Sequence, residues 1–164
     1  MTGAVLGVDI GASGALALLD DNGDVVAVAD MPTLDDGPKG RRSVNGPLLA
    51  SLIARWEPSK AFIEYVGARP GEGAVGAFAF GRARGVVEGV LAAAAVPVAF
   101  LTPPTWKRAI GIAAGKAGAK DAARAEAVRR WPAKAALFAR VKDDGRAEAA
   151  LIAGAGMLKA GKCP

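Results

Sequence analysis

Asp9 stands inside an otherwise apolar run, VLGVDI, and Glu64 inside a second one, KAFIEYV. An ionised carboxylate taken out of water is costly unless it is paired or binds a cation. One such acid reads as a strand-end accident. Two on separate apolar strands call for a common partner. A third acidic group, Asp143, Asp144 and Glu148, opens the run KDDGRAEAALIAGAG. Asp144 and Glu148 are four apart and share one face of a helix, which Ala149, Leu151 and Ile152 anchor to a core. Asp144 also suits a helix N-terminus as a cap or dipole partner, and Glu148 suits a pair with a neighbouring arginine, so this cluster taken alone is open between ligation and structure. Capping does not account for the two strand acids. Together Asp9, Glu64, Asp144 and Glu148 offer oxygen ligands of the kind that two magnesium-type cations prefer. Two such ions about 3.5–4 Å apart activate water and stabilise the leaving oxygen in phosphodiester cleavage.

Composition narrows the alternatives. The chain has 164 residues, 52% of them hydrophobic, enough for one domain over residues 1–164 with a full core. There is no histidine, which removes Ser-His-Asp triads, Cys-His dyads and His-ligated zinc. Cys163 is the one cysteine, so no disulfide forms within a chain. No apolar run approaches a membrane span, and Met1 leads into a strand without a signal-like segment. A cytoplasmic protein with no membrane partner is the expectation. The net charge of +5 is uneven: residues 1–40 carry seven acids against Lys39, and residues 103–142 carry ten bases against Asp121 and Glu126. That asymmetry points to an anionic partner docking on the later half.

The elements that must position these acids follow from periodicity. Val5–Ile10, Ala15–Leu19 and Val25–Asp30 read as three strands joined by loops too short for crossovers, hence an antiparallel meander. Residues 33–42 read as a loop. Ser43 or Asn45 caps a helix carrying Leu48, Leu49, Leu52, Ile53 and Trp56, ended by Pro58. A strand over Ala61–Val66 precedes a glycine-rich loop through Gly71, Gly73 and Gly76, a helix over Gly81–Ala95 and a fifth strand, Pro97–Leu101. Helices follow over Thr102–Ile110, with Pro103 and Pro104 in the first turn, Lys120–Trp131 and Asp144–Leu158. The expected fold is α/β, a five-stranded mixed sheet with helices on both faces.

In that order, VLGVDIGASGALALLD, AFIEYV, TPPTWKRAIG with a following Lys120, and DDGRAEAALIA resemble the RuvC-like Holliday junction resolvases of the RNase H-like superfamily. The loop RPGEGAVGAFAFGRARG resembles the phage and prophage branch. The resemblance covers nearly the whole chain. It implies a metal-dependent, structure-selective endonuclease of DNA recombination and repair that nicks two symmetry-related strands of a four-way DNA junction, leaving 5′-phosphate and 3′-hydroxyl ends. Asp9 matches the first-strand aspartate, Glu64 the fourth-strand glutamate, and Asp144 and Glu148 the acid pair of the last helix, with two Mg²⁺ or Mn²⁺ ions per active site. Cellular members carry two aspartates three apart there, so Asp143 is the other candidate ligand. They also place an aromatic shortly after the strand glutamate, where this chain has Gly67, with Tyr65, Phe78 and Phe80 as substitutes.

Lys107, Arg108, Lys116, Lys120 and Arg124 are the expected DNA contacts, because a carboxylate site repels phosphates and needs cations beside it. Lys107 and Lys120 resemble the family's active-site and junction-contacting lysines, and either would stabilise charge developing at the scissile phosphate. Without a DNA partner the same basic run is a solvated face. Trp106 and Trp131 suit base stacking but suit a core better, as does Trp56. The loop Gly71–Gly76 lacks both the P-loop ending and the Rossmann spacing, so no nucleotide cofactor is expected. DIGASGALAL also resembles the phosphate loop of actin-like kinases, whose two-domain architecture is about twice this length. Matched nicks across a two-fold junction imply a homodimer, for which the helix Gly81–Ala95, with Gly85 and Gly89, is the candidate interface beside plain intramolecular packing. The alternative functions are another RNase H-like nuclease acting on branched DNA or RNA, and a non-catalytic junction-binding protein.

Overall fold

A computed structural model describes residues 3–68, 70–113 and 119–161. Lys116 and Cys163 lie outside the described residues, as does the side chain of Lys120. Three apolar strands, β1 (Val5–Asp9), β2 (Ala15–Leu19) and β3 (Val25–Asp30), form the antiparallel meander that their short connections dictate. Two further strands, β6 (Lys60–Glu64) and β7 (Val98–Leu101), add in parallel on the other side of β1. The five-stranded sheet has the order β3-β2-β1-β6-β7, with β1 at its centre.

Residues 33–42 depart from the expected loop. Thr33–Asp35 (β4) and Arg42–Val44 (β5) pair as a two-stranded ribbon, and the Asp36 amide closes its tip onto the Arg41 carbonyl at 2.8 Å. The turn chemistry of Gly37, Pro38 and Gly40 describes only this tip. Beyond the ribbon, α1 (Gly46–Trp56) is capped by the Asn45 side chain, which accepts from the Leu48 amide at 3.1 Å, and it ends where Glu57 turns left-handed ahead of Pro58. Helix α2 (Ala74–Ala93) begins at Ala74 rather than Gly81, since Ala74, Ala77 and Ala79 are strong helix formers that outweigh Gly76.

The C-terminal part holds α3 (Pro103–Ile110), α4 (Ala119–Arg130), two 3-10 turns (Pro132–Leu137 and Val141–Asp143) and α5 (Asp144–Lys159). Alternation along the strands divides the core in two. Val5, Ala15, Ala17 and Phe62 face α3, α4 and α5, whereas Leu6, Val8, Leu16 and Ile63 face α1 and α2. Trp106 and Trp131 are both buried in the first core, and Trp56 packs at the edge of the second. No helix of the described residues is long and apolar enough to cross a membrane.

Candidate active site

The register of β1 against β6 brings the two strand acids together. Val8 pairs with Ile63 in the parallel ladder, so Asp9 and Glu64, one residue further along each strand, stand side by side at the carboxyl ends of neighbouring strands. Strand alternation also fixes their face: Gly7 and Phe62, two residues earlier, abut α5, and Asp9 and Glu64 therefore point to the α5 side. Both are half-buried.

Helix α5 can lie this close because glycines line its path. A Cβ on Gly7 would overlap the Ala149 carbonyl oxygen and stand 2.8 Å from the Ala153 nitrogen. At the start of the helix, a Cβ on Gly145 would stand 2.9 Å from the Ser13 carbonyl and 3.1 Å from Asp9 Oδ2. The first turn of α5 is thus seated directly on Asp9. Asp144 and Glu148, one turn apart on that helix, are half-buried. Asp143 serves another purpose. It is 1% exposed, accepts the Arg140 amide at 2.9 Å and is gripped by the Arg140 guanidinium at 2.8 Å. The guanidinium bond, helped by the Arg140 amide, holds its carboxyl below the usual aspartate range against the burial that would raise it. With Arg146 bonded to Asp30 at 2.6 Å, Asp143 fixes where α5 begins and leaves Asp144 as the acid of the pair on the helix.

Glu64 has a partner that its sequence neighbourhood does not disclose. The indole of Trp106, fully buried on α3, donates to Glu64 Oε1 at 2.7 Å. Lys107, the next residue, is half-buried with its Nζ 5.3 Å from the Trp106 ring centroid. Trp106→Phe keeps most of the packing but removes the donor. Were Glu64 to hold a divalent cation, loss of the hydrogen bond that orients it would cost about 10–100-fold in metal affinity, so a drop of about tenfold in Mn²⁺ affinity is the result expected by calorimetric titration, with the circular-dichroism melt as the check on folding. An unchanged affinity would reduce Trp106 to packing alone.

The remaining cations are unequal. Arg108 is exposed. Arg124 instead pairs with Asp121, reaches the Ala139 carbonyl and has only 16% of its side chain exposed, so its role in the structure is to tie α4 down. Glu126 grips Arg129 at 2.7 Å and Arg130 at 2.6 Å, and Arg130 reaches the Ile110 carbonyl at the end of α3. These bonds, the one from Arg129 foremost, lower the Glu126 pKa. Because the folded pKa lies below the unfolded one, the stabilisation is complete above the usual glutamate range near about 4.3 and is lost as pH falls through the lowered value. Glu126→Gln is expected to cost about 1 kcal/mol at pH 7, a gap between the denaturation curves that closes in acid. A gap constant down to pH 3 would remove the charge from the explanation.

Among the expected aromatic substitutes, Phe80 packs on the core and Tyr65, though exposed, is held edge-on to Phe100 with Arg84 over both rings. Phe78 is 73% exposed at the start of α2. Among the described residues no group of three or more acidic or cysteine side chains stands close enough to hold a metal ion. Asp9 and Glu64 stand at neighbouring strand ends, with Asp144 and Glu148 on the first turns of α5, and carboxylate oxygens are the donors that hard divalent cations prefer.

No protein-family model matches the chain, and no curated protein matches it by sequence. Solved structures do. Over 97% of both chains it superposes on Thermus thermophilus RuvC in complex with a Holliday junction substrate, with a TM-score of 0.66 and 16% identity. The fold is that of RuvC. A second Thermus thermophilus RuvC structure matches with a TM-score of 0.56 and 17% identity over 97% of both chains. The yeast mitochondrial Holliday junction resolvase Ydc2 matches with a TM-score of 0.58 and 14% identity, over 98% of this chain and 82% of that one. The five-stranded mixed sheet with helices on both faces is this RuvC-like, RNase H-like architecture.

Proposed function

We propose that the chain is a divalent-metal-dependent endonuclease that resolves four-way DNA junctions by paired phosphodiester hydrolysis. The observation that carries this reading is the pairing of Asp9 and Glu64 at adjacent strand ends, beneath the first turns of a helix bearing Asp144 and Glu148, in a fold shared with junction resolvases. Asp9, Glu64, Asp144 and Glu148 are the residues that would hold two Mg²⁺ or Mn²⁺ ions, which when bound supply an activated water and stabilise the leaving oxygen. Trp106 orients Glu64, the Arg140–Asp143 clamp sets the height of α5, and Lys107 offsets negative charge at the scissile phosphate. Arg108, with Lys116 and Lys120, would contact the DNA backbone, and cutting would leave 5′-phosphate and 3′-hydroxyl ends.

Paired cutting calls for a two-fold homodimer. The exposed side of α2 suits it: a Cβ on Gly81, Gly85 or Gly89 would meet nothing within 4 Å among the described residues, so intramolecular packing does not use this stripe.

The test is cleavage of a labelled immobile four-way junction, beside linear duplex and RNA–DNA hybrid, with Mg²⁺, Mn²⁺ or chelator, and with the mass in solution measured by sedimentation. Symmetric metal-dependent nicks at the junction are expected from a dimer. Preference for the hybrid would move the activity to RNA, and tight junction binding without cutting under either metal would leave a binding protein.

A further inference from the structure

Beside the acidic site, on the opposite face of the sheet, lies a cavity of about 620 Å³ between the β4–β5 ribbon, the N-terminal half of α2 and the turn after β1. The acids make no use of it. Its volume falls in the range of about 300–1,000 Å³ typical of small-ligand sites. Its lining is mainly apolar, with Phe78, Ala79 and Phe80 along α2, while Arg41, Arg42 and Arg82 also line it. Arg82 is paired with Asp36, which leaves the charge of Arg41 and Arg42, both exposed, in excess. Ser43 adds a hydroxyl with no hydrogen-bond partner among the described residues. Gly11 and Ala12 form the near wall, and they follow Asp9 by two and three residues in the chain.

An apolar slot with aromatic walls, flanked by unbalanced guanidinium groups, suits a ligand with a flat uncharged body and a negatively charged thread. Bases stack on aromatic side chains for about 1–3 kcal/mol each, and arginines neutralise phosphates. A purely apolar partner would leave Arg41 and Arg42 without counter-charge. We propose that this cavity receives one unstacked nucleotide of the bound DNA strand, its base beside Phe78 and Phe80 and its phosphates at Arg41 and Arg42. The inference rests on reading the chain as a DNA nuclease. It gives that enzyme a means to register the strand relative to Asp9, since a base seated behind Gly11 and Ala12 fixes which phosphate reaches the acids.

The experiment titrates the full chain, in chelator, into a trinucleotide with 2-aminopurine at its centre and follows anisotropy, beside a labelled trinucleotide with an abasic centre. Saturable binding of the first, weakened at least tenfold by the abasic centre, by Ala79→Trp and by Arg42→Glu, is the expected result. Ala79 is exposed, so the tryptophan fills the slot without disturbing the core, and a melt of each variant confirms it. Equal binding of the abasic probe would overturn the proposal, because charge alone would then explain it. So would an Ala79→Trp variant that binds normally, or one that changes only the mass of the oligomer, which would make the slot a contact between copies. Junction cutting assayed in parallel separates the two readings: cutting without trinucleotide binding removes the pocket and keeps the nuclease, and binding without cutting does the reverse.

Discussion

Asp9→Asn is expected to bind a four-way junction as the parent chain does and to cut it at least about a hundredfold more slowly, about 2.7 kcal/mol in the barrier. The amide keeps the shape of the side chain beside Gly145 and Ser13 and removes its charge. Position makes this acid the most sensitive of the four. It sits on the central strand with a ladder on either side, Val8 against Leu16 and against Ile63, and the first turn of α5 is seated on its carboxylate. Glu64 is supported from one side by Trp106, and Asp144 depends on the Arg140–Asp143 clamp. Gel-shift affinity and single-turnover cutting on the same junction check the expectation. A variant that cuts at the parent rate would place the chemistry elsewhere, and one that no longer binds would make Asp9 structural.

Gly7→Ala is expected to be the most damaging single methyl group in the chain. Its Cβ would collide with the Ala149 carbonyl and crowd both the nitrogen and the Cβ of Ala153. These atoms belong to a strand and a helix at the centre of the fold, with no flexible side chain to yield. Overpacking of this kind costs about 1–3 kcal/mol and occasionally more, and the upper end is expected here. At about 2–4 °C per kcal/mol for a chain of this size, the melting temperature should fall by roughly 6–12 °C. Because relief requires α5 to rise from β1, the proposed metal site predicts that Mn²⁺ affinity falls as well, even at temperatures where the variant is folded. A melting point within a degree of the parent would show that the helix floats more freely than these contacts allow.

Much of this was legible in the residues. The meander follows from three apolar runs with short turns, the start of α1 from Asn45, and the two strand acids from the cost of burying charge. Their adjacency was not written locally, since it depends on β6 pairing with β1 rather than with β3. The ribbon escaped because Gly37, Pro38 and Gly40 outweighed two three-residue strands that hold only by pairing with each other. The indole bond to Glu64 spans 42 positions, and no pattern links a tryptophan to so distant a carboxylate. Asp143 and Asp144 are indistinguishable as letters. What separates them is Arg140, which takes one into the interior and leaves the other on the helix.

The placement of α5 also bears on synthesis. Asp9 is made 135 residues before Asp144, and chains emerge N-terminal end first at about 5–20 residues per second. The meander carries only local pairings and can form while translation continues, but its α5 face has no cover until that helix arrives. Helix α5 therefore leaves the ribosome after the strands it covers, and it both closes this core and brings Asp144 and Glu148. Under the proposed chemistry, a chain stopped before α5 is a harmless one, with cutting ability acquired only once that helix has docked.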